Sequence, residues 1–295
     1  MFLSTRWRMA AISAAAPIGL CGISLTAPAQ IIAPPIPPLA PGNWYGPTPW
    51  SLPNSPFGLW AGTLSLDYAR LIPSVGTDGN QVGANGAGLW MFSDNLGLNT
   101  DFGYHNVTRA LTPHLGSTTA AGALVWRGPD FRLGPAIGYQ GNAQTAGLST
   151  KTFNYGGYGD YFFSPMITLS GKGGYFTSHP GSGGYYLGGQ GKFYPDPDLA
   201  LHAGIDYTKF THAPSFSETD YSAGVESRLP WSIPVSAFGR YSYSGFSPGK
   251  FNVNTVTVGL KFYFNANGAT TLVDRHRTGT LDATSSLVSA VQLRF

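Results

Sequence analysis

Charged side chains are scarce in this chain, 11% of its 295 residues, and many of them stand at one parity within short alternating segments. Asp67, Asp101, His105, Arg132, Asp160, Lys172, Lys192, His202, Asp206, Glu226, Arg228, Arg240 and Lys261 all fall on the polar side of an apolar/polar alternation. Gathered inside a closed wall, side chains of both signs can select which ion or solute passes, as rings of charge do in a selectivity filter. They can equally pair with one another and fill a narrow interior, because a low-dielectric lumen favours neutralised charges. Lys172, Lys192, Asp206, Glu226, Arg240 and Lys261 lie on six consecutive segments and would form one ladder across a wall. Asp67, Asp101 and Arg132 would face it from earlier segments.

Other chemistries have thinner support. Thr211-His212-Ala213-Pro214-Ser215-Phe216-Ser217-Glu218 brings a histidine, hydroxyls and a carboxylate into one connecting segment. A nucleophile needs a base that a third group orients, however, and this spacing matches no such arrangement. The six histidines are scattered without i, i+2 or i, i+4 pairing, so no metal site is expected. Gly83-Ala84-Asn85-Gly86-Ala87-Gly88 resembles a phosphate loop only in its glycines, because no helix comes after it. No cofactor is expected. The single cysteine, Cys21, precedes Gln30, so the exported chain would have no thiol chemistry.

Composition indicates which elements must position these residues. Forty glycines, 14% aromatics and few charges describe neither an ordinary soluble domain, with its quarter of charged residues, nor a disordered chain. Arg6 and Arg8 precede an uncharged stretch from Met9 to Leu25 and then Ala27-Pro28-Ala29, the layout of a cleaved export signal over residues 1–29. Its removal leaves 15 basic against 14 acidic residues, too near neutrality for nucleic-acid binding. Residues 30–56 hold nine prolines, which favour polyproline II and read as an extended periplasmic leader. No apolar run after residue 30 is long enough for a helical membrane span. A span could then only be a closed β-barrel, since lipid leaves no backbone group unpaired.

Twelve alternating segments succeed the leader, near residues 60–68, 81–92, 96–105, 119–127, 131–140, 152–163, 166–176, 184–194, 199–209, 219–229, 234–244 and 253–264. Short turns such as Ser93-Asp94-Asn95 and Gly128-Pro129-Asp130 alternate with longer connections near 71–80, 106–118, 141–151, 177–183, 210–218 and 245–252. Trp60, Trp90, Trp126, Tyr161, Phe163, Phe193, Phe262 and Phe264 then form an outward girdle at one rim. Tyr68, Tyr104, Tyr139, Tyr175, Tyr185, Tyr207, Tyr221, Tyr241 and Tyr243 form one at the other. The expected fold is all-β: a closed, antiparallel, up-and-down transmembrane β-barrel of about 12 strands, with short periplasmic turns and longer outer loops.

Thr257-Val258-Gly259-Leu260-Lys261-Phe262-Tyr263-Phe264 resembles the terminal-strand assembly signal of Gram-negative outer-membrane β-barrel proteins, and the resemblance covers residues 57–264. It implies a porin-like protein of the cell outer membrane, in contact with lipid and lipopolysaccharide. It also implies insertion by the barrel assembly machinery, with Gly259, Phe262 and Phe264 as the recognised residues. The sequence departs from that pattern because 31 residues come after Phe264, and Ser289–Phe295 also alternates and ends in Phe. Phe264 is preferred as the end of the barrel, since Asn265 to Thr280 reads as polar tail and a thirteenth strand would break the topology. The expected organisation is thus a signal (1–29), a leader (30–56), a barrel (57–264) and a periplasmic tail (265–295), whose Arg275-His276-Arg277 would form a solvated basic patch or, less commonly, meet anionic lipid headgroups or a partner. The leading function is a narrow passive channel for ions or small hydrophilic solutes. The alternatives are a structural or export-partner barrel, for example in polysaccharide secretion, whose leader or tail binds a periplasmic partner, and a hydrolase at the outer rim.

Overall fold

The computed structural model describes residues 58–109, 112–144, 149–179, 181–211, 215–231, 233–249, 251–265 and 269–281. The expected export signal, the proline-rich leader and the tail beyond residue 281 lie outside them.

Twelve strands run in chain order: β1 (Gly58–Pro73), β2 (Gly79–Met91), β3 (Leu96–Arg109), β4 (Thr112–Arg127), β5 (Phe131–Gln144), β6 (Ser149–Ser164), β7 (Ile167–His179), β8 (Ser182–Asp196), β9 (Leu199–Phe210), β10 (Phe216–Arg228), β11 (Val235–Ser247) and β12 (Phe251–Asn265). Each pairs antiparallel with its neighbours in sequence, and β12 pairs with β1 from Ala61↔Asn265 to Pro73↔Val253, which closes the barrel. β12 therefore ends the wall at the Phe264 segment, the end preferred from the sequence. Closure removes the unpaired edges that an open sheet would offer to other chains.

The outward face is apolar. Leu66, Phe102, Ile137 and Leu187 are 50–68% exposed, and similar side chains recur on every strand. An apolar band of this extent is what a hydrocarbon environment requires and water penalises. Both girdles form largely as expected, with Trp126, Tyr161, Phe163 and Phe264 exposed at one rim and Tyr68, Tyr104, Tyr175 and Tyr221 exposed at the other.

Trp60 is an exception. The β1–β2 register shifts between Leu59 and Ala61, and this bulge turns the indole inward, where it is 5% exposed and packs with Leu89 and Met91. An extra residue in one strand reverses the parity on one side of the bulge, so alternation alone puts Trp60 on the wrong face. The six connections read as longer loops also differ. Most of their residues belong to strands, leaving only 74–78, 110–111, 145–148, 180–181, 211–215 and 248–250 between them. Polar strand residues beyond the apolar band carry no periodic hydrophobic signal, so they read as loop although their backbone continues the ladder. Gly76 (φ +102) and Gly181 (φ +61) sit in two of these tight tips, in conformations that side chains with a Cβ rarely adopt.

The segment after β12 is the largest departure from expectation. Residues 272–278 form a short helix, α1 (Leu272–Thr278), and residues 272–281 pack against the inner wall at the end where β1 starts and β12 stops. Arg275 and His276 are buried, so the basic triplet is not a solvated patch.

Candidate functional site: a lumenal cavity with one mouth filled

The helix at the mouth is set by its own capping residues. Thr271 Oγ1 accepts from Asp274 N (3.1 Å), and Asp274 Oδ2 accepts in return from Thr271 N (3.4 Å), a reciprocal capping box. The wall supplies partners for both helix ends. At the N-terminus, Leu272 N donates to Asp198 Oδ1 (3.1 Å) and Val273 N to Pro197 O (3.1 Å). At the C-terminus, where carbonyls lack intrahelical partners, Arg132 donates to His276 O (2.7 Å) and Gly279 O (2.9 Å), and Arg127 donates to Arg277 O (3.2 Å). Cationic donors suit the negative end of a helix dipole.

Side chains lock the same segment. The His276 ring lies 3.2 Å from the hydroxyls of both Tyr194 and Tyr263 and 3.3 Å from Glu226 Oε2. Ser236 (2.5 Å), Tyr263 and Lys261 (3.3 Å) also donate to the Glu226 carboxylate. Arg277 donates to Ser164 O and to Ile167 O (3.2 Å), with its guanidinium over the rings of Phe162 and Tyr194. Arg275 lies over Tyr263, and burial lowers its guanidinium pKa below the ordinary value, with nearby Arg228 adding to the shift. Thr280 meets Thr63 (3.2 Å), and Leu281 N donates to Asn99 Oδ1 (3.1 Å). These contacts reach β1, β3, β4, β5, β8, β10 and β12 and the β6–β7 turn, so the segment spans the mouth from side to side.

Beyond it lies a cavity of about 390 Å³, floored by His276 and Leu281. Its wall holds Asp67, Asp101, His105, Arg132, Asp160, Lys172, Lys192, His202, Asp206, Glu226, Arg240 and Lys261, twelve of the thirteen residues on the polar parity of the strands. Arg228 does not join them and instead pairs with Asp198 at the β8–β9 turn (3.2 Å).

Glycines decide how these charges meet. Lys172, Gly188 and Asp206 are successive cross-strand partners on β7, β8 and β9. A Cβ at Gly188 would overlap the Asp206 carboxylate and sit 2.8 Å from Lys172 Cε, so its absence lets the ammonium reach across β8 to the carboxylate at 3.0 Å. Asp67, Gly83 and His105 repeat the arrangement on β1, β2 and β3, where Gly83 leaves room for both side chains at 3.9 Å. Gly259, expected as part of an assembly signal, faces inward under the ring of Phe238 and close to Leu66 O. Phe264 lies on the outward face and Phe262 is half-buried.

The expected six-residue ladder splits in two. Lys172–Asp206 joins Asp220–Arg240 (3.8 Å) because Asp206 and Asp220 are direct cross-strand partners, whereas Glu226–Lys261 belongs to the filled mouth. Lys192 is buried and opposite His202. Asp220 is a cavity residue that the sequence pattern does not single out, although it shares the parity of Glu226. Of the segment considered for catalysis, residues 212–214 lie outside the described residues. Thr211 donates to Gly183 O (3.1 Å) and Ser215 to Phe210 O (3.0 Å).

No protein-family model and no curated protein matches this chain. Among solved structures, an outer-membrane channel from Pseudomonas putida F1 matches with a TM-score of 0.53 at 11% identity, covering 72% of this chain and 99% of that one. KdgM porin gives a TM-score of 0.47 at 12% identity over 68% of this chain and 99% of that one. The translocator domain of the autotransporter NalP from Neisseria meningitidis gives 0.46 at 11% identity, over 69% and 88%. The first of these shares the closed-barrel fold with this chain.

Proposed function

We propose that this chain is a narrow passive channel of the outer membrane for ions or small hydrophilic solutes. The observation that carries the reading is the cavity: a space of about 390 Å³ inside a lipid-facing wall, lined by carboxylates, ammonium groups, two guanidinium groups and hydroxyls. An interior built only to hold the barrel together would be filled by packed side chains, as small barrels are. Six acidic and five basic lining residues nearly balance, which suits solutes of low net charge better than a strongly selected ion.

The end that carries both barrel termini is assigned to the periplasm, consistent with an export signal and leader preceding β1 and with an even strand count. Insertion by the barrel assembly machinery would use the β12 segment containing Gly259, Phe262 and Phe264. Purified, folded protein in a planar lipid bilayer should give discrete conductance steps in potassium chloride, and liposomes carrying it should admit small neutral sugars. Absence of both in protein that migrates as a folded barrel on unheated gels overturns the channel reading.

A further inference from the structure

The C-terminal segment at the filled mouth is held largely through its backbone. Arg132 and Arg127 meet three backbone carbonyls of the C-terminal segment, Asp198 and Pro197 meet two of its N–H groups, and Asn99 meets a third. Backbone recognition at both ends of a helix fixes its position in a way that side-chain burial alone would not. Of the segment's larger apolar side chains, Leu272 and Leu281 are buried to 4% exposure or less. The hydrogen bonds are made to groups that the segment itself covers, and water replaces it as their partner on release, at a net cost of about 1.5–3 kcal/mol for each bond to a charged group. The segment can therefore leave as a unit without dismantling the wall.

We infer that residues 271–281 are an autoinhibitory plug: an intramolecular ligand of the periplasmic mouth whose release connects the cavity to the periplasm. This rests on the channel reading. The barrel itself closes through β1 and β12 without contribution from the segment, so departure of the plug leaves every strand paired. Release would expose Arg132, Arg127, Glu226 and Asn99 to water at the mouth, polar groups whose exposure costs little.

Thr63 and Thr280 offer a lock in the full-length chain, because their hydroxyls are 3.2 Å apart on opposite sides of the contact. With Cys21→Ser as background, Thr63→Cys and Thr280→Cys would be the only thiols. Oxidised protein should show no openings in planar bilayers, and a reductant should restore them to the level of the Cys21→Ser parent. Arg277→Ala, which removes the anchor to the β6–β7 turn, should raise the open fraction by roughly tenfold, the factor corresponding to 1.4 kcal/mol. Conductance that is equal in the oxidised and reduced lock, with the disulfide verified by mass spectrometry, overturns the plug while leaving the channel standing. Silence of the parent, the reduced lock and Arg277→Ala alike overturns the channel reading on which the plug depends.

Discussion

Arg132 at the filled mouth and Arg240 in the open cavity are both lumenal arginines, yet they are held differently. The Arg132 side chain is 4% exposed, grips Asp160 at 2.5 Å through Nε and donates from its two terminal nitrogens to plug carbonyls. Arg240 is 38% exposed and stands 3.8 Å from Asp220. The first is committed to structure, with each charge compensated by geometry. The second keeps hydration and freedom to meet a passing solute. Residue type and strand parity are the same, so the difference comes from what covers the side chain: the returning C-terminal segment in one case, water in the other.

Breaking the dry side of this comparison should have the largest effect. Arg132→Ala removes the guanidinium from a buried pair, and losses of this kind typically amount to about 3–5 kcal/mol. It should lower the midpoint of urea unfolding in detergent micelles accordingly. Replacing both partners, as Arg132→Met with Asp160→Leu, should recover most of that loss while leaving the plug carbonyls of His276 and Gly279 without Arg132. The double variant therefore separates the energy of the ion pair from the docking of the plug. Equal destabilisation by both variants would show that Asp160 is not the group that suffers.

On the wet side, geometry matters more than stability. Gly188→Val places a branched Cβ where the Asp206 carboxylate lies, but the obstructing atoms are side-chain ends that can move aside. The variant should fold, lose the Lys172–Asp206 contact and conduct severalfold less. Gly86→Ala is the control, because its Cβ would meet only Thr63 O at 3.9 Å. Equal conductance of the two variants would remove Gly188 from the solute path.

How much of the molecule is legible in the sequence varies along the chain. Strand number, closure at Phe264 and the twelve cavity residues are readable from alternation, because period-two patterning is imposed by two different solvents on the two faces. Alternation misplaces Trp60 because a bulge leaves no mark in composition. The plug escapes a polar-tail reading of residues 265–280 although Thr271-Leu272-Val273-Asp274 has the spacing of a capping box. A local helix signal says that a helix forms and nothing about where it docks, and docking here depends on Arg132, Arg127 and Asp198, each more than 70 residues away in sequence. The glycine bridges are hidden for a related reason, since Gly188 matters only once Lys172 and Asp206 are known to flank it.

The smallest predicted effect tests whether the exposed charges face the solute at all. Lys172, Asp206, Asp220 and Arg240 form a balanced quartet across β7, β9, β10 and β11. Lys172→Gln keeps much of the side-chain length and removes one positive charge, leaving two adjacent carboxylates against one guanidinium. Cation preference, read from the reversal potential across a potassium chloride gradient, should rise by a few-fold, and Asp220→Asn should shift it the opposite way. Both shifts should shrink in 1 M salt, where the Debye length falls from about 10 Å to 3 Å. Lys261→Gln belongs to the dry side, where Glu226 is also held by Ser236, Tyr263 and His276, and should move the reversal potential less. An equal shift from Lys261 would mean that the filled mouth is as wet as the cavity and that the two arginines differ only in degree.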